Sequence, residues 1–248
     1  MTNQPLSGKS ALVTGGARRI GRGIALALAQ AGADVAVTFR NSRAEAEETV
    51  RDVETFGRRS MAIECDVRSE DSVRAAVAGT VSRFGRLDLV VNNAAVFESA
   101  PLDSLTLDQW NLAFETNTRG PFLVAREALP HLRAVEGRIV NLGSLGGIHA
   151  WASHAHYCAS KAALHSLTQA MAKAFAPEVS VNCVAPGWIQ LDGEENGRTS
   201  GQSAHFSAKT PMQRNGSLED VAEAVLFFAA GPHFVTGQIL VVDGGLGL

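Results

Sequence analysis

Tyr157 and Lys161 are two side chains whose types and spacing could move a proton. They stand four residues apart in a segment that continues as AALHSLTQAMAKAF, and this pattern predicts a helix on which both side chains leave one face. A phenol has a pKa near ~10 in water, which is too high for a donor that works near neutrality. Because a neighbouring ammonium favours the phenolate, the spacing predicts that Lys161 lowers the pKa of Tyr157.

Ser144 precedes Tyr157 by thirteen residues and follows the apolar run RIVNLG. Such a run predicts a strand, and the residue after a strand of a parallel sheet lies at the carboxyl edge, where ligands bind. We therefore expect the Ser144 hydroxyl to lie beside the Tyr157 phenol, where it could hold a substrate oxygen.

The elements that must position these side chains alternate between strand and helix along the chain. Apolar runs at 10–14, 35–39 and 138–142 predict buried parallel strands. The alternation predicts an α/β protein: a single-domain Rossmann fold over residues 1–248, with a doubly wound parallel sheet of about seven strands. After Pro101 we expect a helix that supplies apolar surface to the core through Leu102, Leu105, Leu107, Trp110, Leu112 and Phe114.

Composition limits the partners and the compartment. The 248 residues are 46% hydrophobic, enough for one large core. A net charge of −3 provides no broad basic field, so we expect a small-molecule substrate and neither nucleic acid nor a membrane as partner. The three cysteines are widely spaced without a CxxC pair, which favours a cytoplasmic protein without disulfides or zinc. His149, His154 and His156 lack metal-ligand spacing, so no metal is expected.

A glycine-containing segment, GGARRIGRG, joins the first strand to the first helix. Helix-start amides and glycines at such a turn suit a pyrophosphate. At the end of the next strand an acid would bind the ribose hydroxyls of NAD, but Phe39 and Arg40 stand there. Arg40 and Ser42, with Arg18 on the facing turn, could hold the ribose phosphate of NADP. The sequence thus predicts NADP(H) as cofactor, with a surface role for Arg40 as the alternative.

Four residues, Asn117, Ser144, Tyr157 and Lys161, together with a TGxxxGxG-like turn at Thr14, resemble the short-chain dehydrogenase/reductase family over nearly the whole chain. Arg19 stands where the middle glycine of that turn is expected. The resemblance implies that Tyr157 is the general acid, that Lys161 lowers its pKa and holds the cofactor ribose, that Ser144 positions a carbonyl, and that Asn117 organises a proton-relay water.

The resemblance also implies which residues bind the cofactor and how the substrate site closes. The expected cofactor residues are Gly15, Arg18, Arg19, Ile20, Gly21, Arg40, Asn41, Ser42, Asp66, Val67, Asn93, Ala94, Tyr157, Lys161, Pro186, Gly187 and Ile189. A polar stretch with recurring glycines, 192–207, predicts a mobile loop, which the resemblance makes part of a substrate lid near 190–213. The family is commonly homotetrameric, and the apolar C-terminal strand would suit a subunit interface.

Two substrates and a non-enzyme remain as alternatives. Ser144 resembles the serine of carbonyl reductases such as the 3-oxoacyl-carrier-protein reductases, whereas Arg19, Phe97 and Leu191 resemble the pteridine reductases, in which the Arg and Phe hold the pterin. Because Ser144 stands at the reacting centre, we expect a ketone reductase with Ser144, Phe97 and Tyr157 at the substrate. A dinucleotide-binding regulator without catalysis is the third possibility, but the intact set of four residues favours an enzyme.

Overall fold

The structure is a computed structural model that describes residues 4–191 and 198–248. In this part of the chain, seven strands form one parallel sheet. They are β1 (Ser10–Val13), β2 (Asp34–Phe39), β3 (Ser60–Glu64), β4 (Leu89–Asn92), β5 (Arg138–Leu142), β6 (Ser180–Pro186) and β7 (Ile239–Val242). Their spatial order is β3-β2-β1-β4-β5-β6-β7. The predicted doubly wound α/β fold is confirmed.

Eight α-helices lie in the described residues. They are α1 (Arg19–Gln30), α2 (Arg43–Thr55), α3 (Glu70–Phe84), α4 (Leu107–Phe114), α5 (Gly120–Arg133), α6 (Ala155–Phe175), α7 (Arg198–Lys209) and α8 (Leu218–Ala230). A π-helical turn, Glu115–Arg119, joins α4 to α5. None of these helices is long and apolar enough to cross a membrane.

Both faces of the sheet are covered by helices. Successive strand residues point to opposite faces, and both Leu12 and Val13 of β1 are buried. Leu12 packs in one core with Leu132 of α5, while Val13 belongs to a second core with Ile24 of α1 and Val225 of α8. Burying each such side chain stabilises the fold by about 1.5–3 kcal/mol. This two-sided burial explains why the strands are apolar without alternation.

The strand order reverses between β1 and β4, and this is the position where parallel α/β sheets bind ligands. The residues that follow the strands lie at the same carboxyl edge: Gly15 after β1, Asn93 after β4, Ser144 after β5 and Gly187 after β6. The topology therefore brings the predicted site turns together at one edge.

The helix expected after Pro101 begins later than predicted. Helix α4 starts at Leu107, because Thr106 and Gln109 form a capping box there. Leu102 lies before the helix and is 65% exposed, and Leu107 in its first turn is 79% exposed. The expectation that these two leucines supply the core is wrong.

The polar stretch 192–207 was expected to be a loop. Residues 192–197 lie outside the described residues, but α7 begins at Arg198 and runs to Lys209, so the loop prediction is wrong for that part. The Phe206 ring of α7 stacks on Trp188, with centroids 4.2 Å apart. The α7 sequence has few apolar residues at helical spacing. Periodicity alone therefore did not predict this helix.

Candidate active site

Strand β5 delivers Ser144 to the carboxyl edge of the sheet. Just before it, the Gly143 N–H donates to the Val184 carbonyl of β6 at 2.7 Å. Ser144 then caps a single 3₁₀ turn, because its Oγ accepts a hydrogen bond from the Gly146 N–H at 3.0 Å. Ser144 is buried. The chain on both sides of its hydroxyl is therefore held by hydrogen bonds.

Helix α6 places Tyr157 and Lys161 beside Ser144. The Ser144 hydroxyl lies close enough to the Tyr157 phenol to act on its pKa. One turn further on, the buried Lys161 Nζ lies 5.8 Å from the centroid of the Tyr157 ring and donates to the Leu142 carbonyl at 2.6 Å. The structure brings the three predicted residues together.

The predicted direction of the Tyr157 pKa shift is wrong for this structure. The Tyr157 ring keeps partial exposure, but burial around its hydroxyl raises its pKa to about 12, against a smaller lowering by the neighbouring Ser144 hydroxyl. Burial also lowers the pKa of Lys161 to about 8. Loss of solvent thus outweighs the effect of the Ser144 hydroxyl, and the phenol is protonated at neutral pH.

Asn117 lies in the middle of the π-helical turn Glu115–Arg119 and is 1% exposed. Its Oδ1 accepts from the Val96 N–H at 2.9 Å, and its Nδ2 donates to the Val96 carbonyl and to Ser160 Oγ, each at 3.0 Å. Ser160 Oγ in turn donates to the Tyr157 carbonyl at 2.7 Å. The side chain therefore ties the β4 turn to α6, and the water-organising role stays a prediction.

The turn after β1 has the shape of a phosphate cradle. A Cβ on Gly21 would collide with the Gly15 carbonyl, and one on Gly15 would lie 2.9 Å from Ala94 Cα, so both positions demand glycine. Arg19 takes the left-handed conformation with φ 52°, which glycine adopts more readily. Helix α1 has no side-chain cap, and the amides at a helix start suit an anion.

Asn93 holds this turn against the end of β4. Its Nδ2 donates to the carbonyls of Thr14 and Gly15 at 2.9 and 3.0 Å, while Thr14 Oγ1 accepts from the N–H groups of Asn93 and Ala94 at 3.0 and 3.1 Å. The Asn93 side chain is thus committed to the backbone of the cradle.

The rim of the cradle is cationic and exposed. Arg18 at the start of α1 and Arg40 after β2 are both exposed, and Asn41 and Ser42 follow Arg40. The charge of Arg40 contributes to lowering the pKa of Asp66 beyond β3, although the hydrogen bond from Arg68 is the largest cause. The donors present here fit an anionic group on a ribose.

The other predicted cofactor residues lie along the same edge. Asp66 follows β3 and pairs with Arg68, whose Nη2 is 2.5 Å from Oδ2. Ile20 is in the first turn of α1, and Val67 is buried after β3. Pro186 ends β6, and the next residue, Gly187, donates its N–H to the Val242 carbonyl at 2.9 Å. Ile189 forms an isolated β-bridge with Gly216. Asp66 is already paired, so its expected ligand contact stays a prediction.

An aromatic group lies beside the phenol. Phe97 is 58% exposed and meets the Tyr157 ring edge-on at 4.8 Å between centroids. It also stacks on His154 at 4.6 Å, and Trp151 lies parallel to Tyr157 at 6.3 Å. Within the described residues, no three His, Cys, Asp or Glu side chains are grouped to hold a metal ion.

His165 is not among the residues predicted from the sequence, but it contacts the chain at Ser144. It lies one turn after Lys161 on α6, is buried, and its Nε2 accepts a hydrogen bond from the Ser144 N–H at 3.4 Å. The signal was present in the sequence, because His165 repeats the spacing of four residues that selected Tyr157 and Lys161.

Together, the seven-stranded parallel sheet, the phosphate cradle and the Ser-Tyr-Lys cluster define a dinucleotide-binding oxidoreductase architecture. Residues 15–247 match a family model described as enoyl-(acyl carrier protein) reductase. The chain is 37% identical over 241 residues to the 3-oxoacyl-[acyl-carrier-protein] reductase FabG of Staphylococcus aureus, covering 96% of this chain and 98% of that protein.

Solved structures agree with this match. A short chain dehydrogenase from Burkholderia cenocepacia J2315 in complex with NADP is 38% identical with a TM-score of 0.91, covering 98% of this chain and all of the other. A 7α-hydroxysteroid dehydrogenase complexed with NADH and 7-oxo glycochenodeoxycholic acid is 31% identical with a TM-score of 0.92, covering 98% and 96%. The chain belongs to the short-chain dehydrogenase/reductase family, and the protein is an oxidoreductase.

Proposed function

We propose that the protein uses NADPH to reduce a ketone, a 3-oxoacyl thioester or a related compound, to an alcohol. The observation that carries this proposal is the grouping of the Ser144 hydroxyl, the Tyr157 phenol and the buried Lys161 ammonium at the carboxyl edge of the sheet. The neighbouring hydroxyls of Ser144 and Tyr157 can both donate hydrogen bonds to a carbonyl oxygen as it becomes an alkoxide. The likeness to a 3-oxoacyl-carrier-protein reductase supports the same substrate class.

The reaction needs a proton donor that is loaded at neutral pH. In the free protein the Tyr157 phenol is protonated at neutral pH, but a donor works best when its pKa lies near the working pH, so turnover requires this pKa to fall when the site is occupied. Ser144 can donate to the same substrate oxygen. When bound, a reduced nicotinamide supplies the hydride. Tyr157 gives its proton to the carbonyl oxygen as the carbonyl carbon gains hydride, which completes the alcohol. Because Tyr157 is the sole tyrosine, ultraviolet titration of the free protein can report this pKa directly.

The preference for NADPH over NADH rests on the exposed cations of the cradle rim. Arg18 and Arg40 offer two guanidinium groups where a carboxylate would be needed to bind free ribose hydroxyls. The similar structures contain NADP in one case and NADH in another, so the choice for this chain depends on its own residues. Guanidinium groups bind phosphate through charge-assisted hydrogen bonds.

A second candidate substrate is a dihydropterin. The specific observation in its favour is the exposed Phe97 ring edge-on to Tyr157, because a planar heterocycle could pack against it. Ser144 supports the ketone more strongly, since a hydroxyl suits a carbonyl oxygen better than ring-nitrogen protonation.

We also propose that the segment near 190–213 closes over the substrate. Gln190 Oε1 accepts from Ser203 Oγ at 2.6 Å, and Asn215 Nδ2 donates to Ser203 Oγ at 2.6 Å. With the Trp188–Phe206 stack, these bonds attach the described part of the segment to the turn after β6. A polar attachment of this kind can open and close at modest cost.

Assembly as a homotetramer is proposed from the apolar edge of the sheet. Strand β7 is an edge strand, and Leu240 and Val241 on it are exposed, as is the nearby helix residue Phe227. An exposed apolar edge favours association. Analytical ultracentrifugation tests this, with a monomer at micromolar concentration as the contrary result.

The substrate assignment is tested by nicotinamide absorbance with NADPH and three compounds: a 3-oxoacyl thioester, an activated simple ketone and a dihydropterin. We expect reduction of both carbonyl compounds and slower or absent reduction of the pterin. Efficient pterin reduction that is lost in Phe97→Ala, with neither ketone reduced, would replace the ketone assignment by the pterin one.

A further inference from the structure

Three side chains of α6 lie on successive turns: Tyr157, Lys161 and His165. The first two meet the expected substrate end of the site, and the third lies deeper, against the chain that carries Ser144. Helix α6 therefore contacts both the reacting hydroxyls and the backbone that presents one of them.

The contact between His165 and Ser144 replaces a bond that the sheet does not provide. Gly143, the preceding residue, still bonds to the neighbouring strand through the Val184 carbonyl. At Ser144 the chain leaves the sheet, and its N–H donates to His165 Nε2 instead. A buried N–H needs such an acceptor. The imidazole thus supplies the hydrogen bond at the point where the chain turns toward the site.

Two glycines allow the ring to approach this closely. A Cβ on Gly143 would collide with His165 Nε2, and a Cβ on Gly147 would lie 2.6 Å from its Cε1. The ring is therefore packed between the chain before Ser144 and the chain after it. Because packed interiors transmit displacements, a change in the ring would move the Ser144 backbone.

The ring keeps its acceptor nitrogen at working pH. Burial, and next the positive charge of Lys161 on the same helix, lower the pKa of His165 to about 4. Cys183 of β6, which also lies against Gly143, has a pKa raised by burial to about 12 and faces this region as a neutral thiol. A neutral imidazole that accepts at Nε2 carries its proton on Nδ1.

We propose that His165 is a positioning residue of the active site: through the Ser144 backbone it sets the distance from the Ser144 hydroxyl to Tyr157. This inference rests on the proposed function. His165 touches no reacting atom, and its effect passes through Ser144. The substrate and cofactor contacts of the site do not depend on it directly.

The test compares two substitutions that differ in hydrogen bonding. His165→Gln keeps an acceptor near the position of Nε2, whereas His165→Leu fills similar space without one. We expect His165→Leu to lower kcat about 10- to 100-fold, since small displacements of a reacting group cost up to about 10²-fold. His165→Gln should stay within about 3-fold of the wild type. Both variants should bind NADPH as the wild type does.

A matched control is His131→Leu. His131 lies in the last turn of α5, just before β5 begins, and so at the opposite edge of the sheet. His131→Leu also removes an imidazole, but at a distance from the site, and should leave kcat unchanged. Equal losses in the Gln and Leu variants, wild-type kcat in the Leu variant, or a parallel loss in the control would overturn the proposal.

A second measurement does not depend on turnover. In ¹⁵N spectra of the histidine rings, the signal that disappears in His165→Gln identifies His165. We expect an unprotonated Nε2 and a protonated Nδ1 that do not change between pH 5.5 and 8. A cationic ring at pH 6, or a proton on Nε2, would contradict the contact. If the wild type reduced no ketone, the proposed function would fail, but these spectra would still test the His165–Ser144 contact. They also do not require the Leu variant to fold.

Discussion

The two ends of the candidate site differ in the burial and the hydrogen bonding of their side chains. At the α6 end, Ser144 and Lys161 are buried, and Ser144 Oγ and Lys161 Nζ each have a hydrogen-bond partner in the protein. At the cradle end, Arg18 and Arg40 are exposed on the rim of a glycine turn. The first end is held by hydrogen bonds within the protein, while the second presents its cations to solvent.

This difference separates two physical tasks. Proton transfer requires reacting groups held in place, and burial achieves this at the cost of shifting their pKa values. Recognition of an anion requires charge, which acts over several ångströms and weakens with salt. Substitutions at the α6 end should therefore change kcat, and those at the cradle end should change cofactor affinity.

The largest effect is expected from charge placed at the α6 end. Ser144→Asp puts a carboxylate beside the developing alkoxide and should lower ketone reduction about 10³-fold. The control, Ser144→Ala, removes the hydroxyl without adding charge and should cost about 10²-fold. Steady-state kinetics with saturating NADPH measures both. Equal activity of the Asp variant and the wild type would show that Ser144 does not meet the substrate oxygen.

Burial at the same end predicts a pH-dependent stability. The pKa of His165 is about 4 when folded and near 6.5 when unfolded, so the unfolded chain binds the proton first as pH falls. The resulting stability is present above pH 6.5 and is lost between pH 6.5 and 4, at most about 3 kcal/mol. Urea unfolding should show this loss in the wild type and not in His165→Gln. If the free energy of unfolding fell equally with pH in both proteins, the assignment of this loss to His165 would be contradicted.

At the cradle end the change should appear in cofactor choice. Arg40→Asp should reverse the preference toward NADH by about 10- to 100-fold, because a charge-assisted bond to phosphate is lost and repulsion is added. Arg43→Asp is the control, since Arg43 already pairs with Glu64 at 2.8 Å. Fluorescence titration at low and high salt checks both. Equal binding of NADPH and NADH by the wild type at low salt would refute the cation hypothesis.

The smallest effect should come from the α7 attachment. Phe206→Ala removes the stack on Trp188, which is worth about 0.5–1.5 kcal/mol, so KM for substrate should rise a few-fold with kcat nearly unchanged. Phe56→Ala at the end of α2 is the control. Amide hydrogen exchange across 198–209 should become faster in Phe206→Ala and stay unchanged in Phe56→Ala. Exchange in the wild type as slow as in the core strands would argue against a lid.

The sequence predicted the sheet and the Ser-Tyr-Lys cluster because both depend on periodicity and spacing. Strand β5 and helix α6 follow from apolar runs and a spacing of four residues, and the family resemblance added Asn117. The pKa of Tyr157 was predicted in the wrong direction because solvent loss is a property of the folded protein. Helix α7 and exposed Leu107 were missed for a related reason: an aromatic stack and a capping box override hydrophobic pattern.

The most direct test of ketone reduction by this site is Tyr157→Phe, which removes the phenol hydroxyl and keeps the ring. Turnover of a 3-oxoacyl thioester and NADPH binding are measured on the same preparation. We predict a fall in kcat of about 10²- to 10⁴-fold, the usual contribution of a general acid, with NADPH affinity within about 2-fold of the wild type. Near wild-type kcat, where chemistry limits turnover, would contradict the assignment of Tyr157 as the general acid.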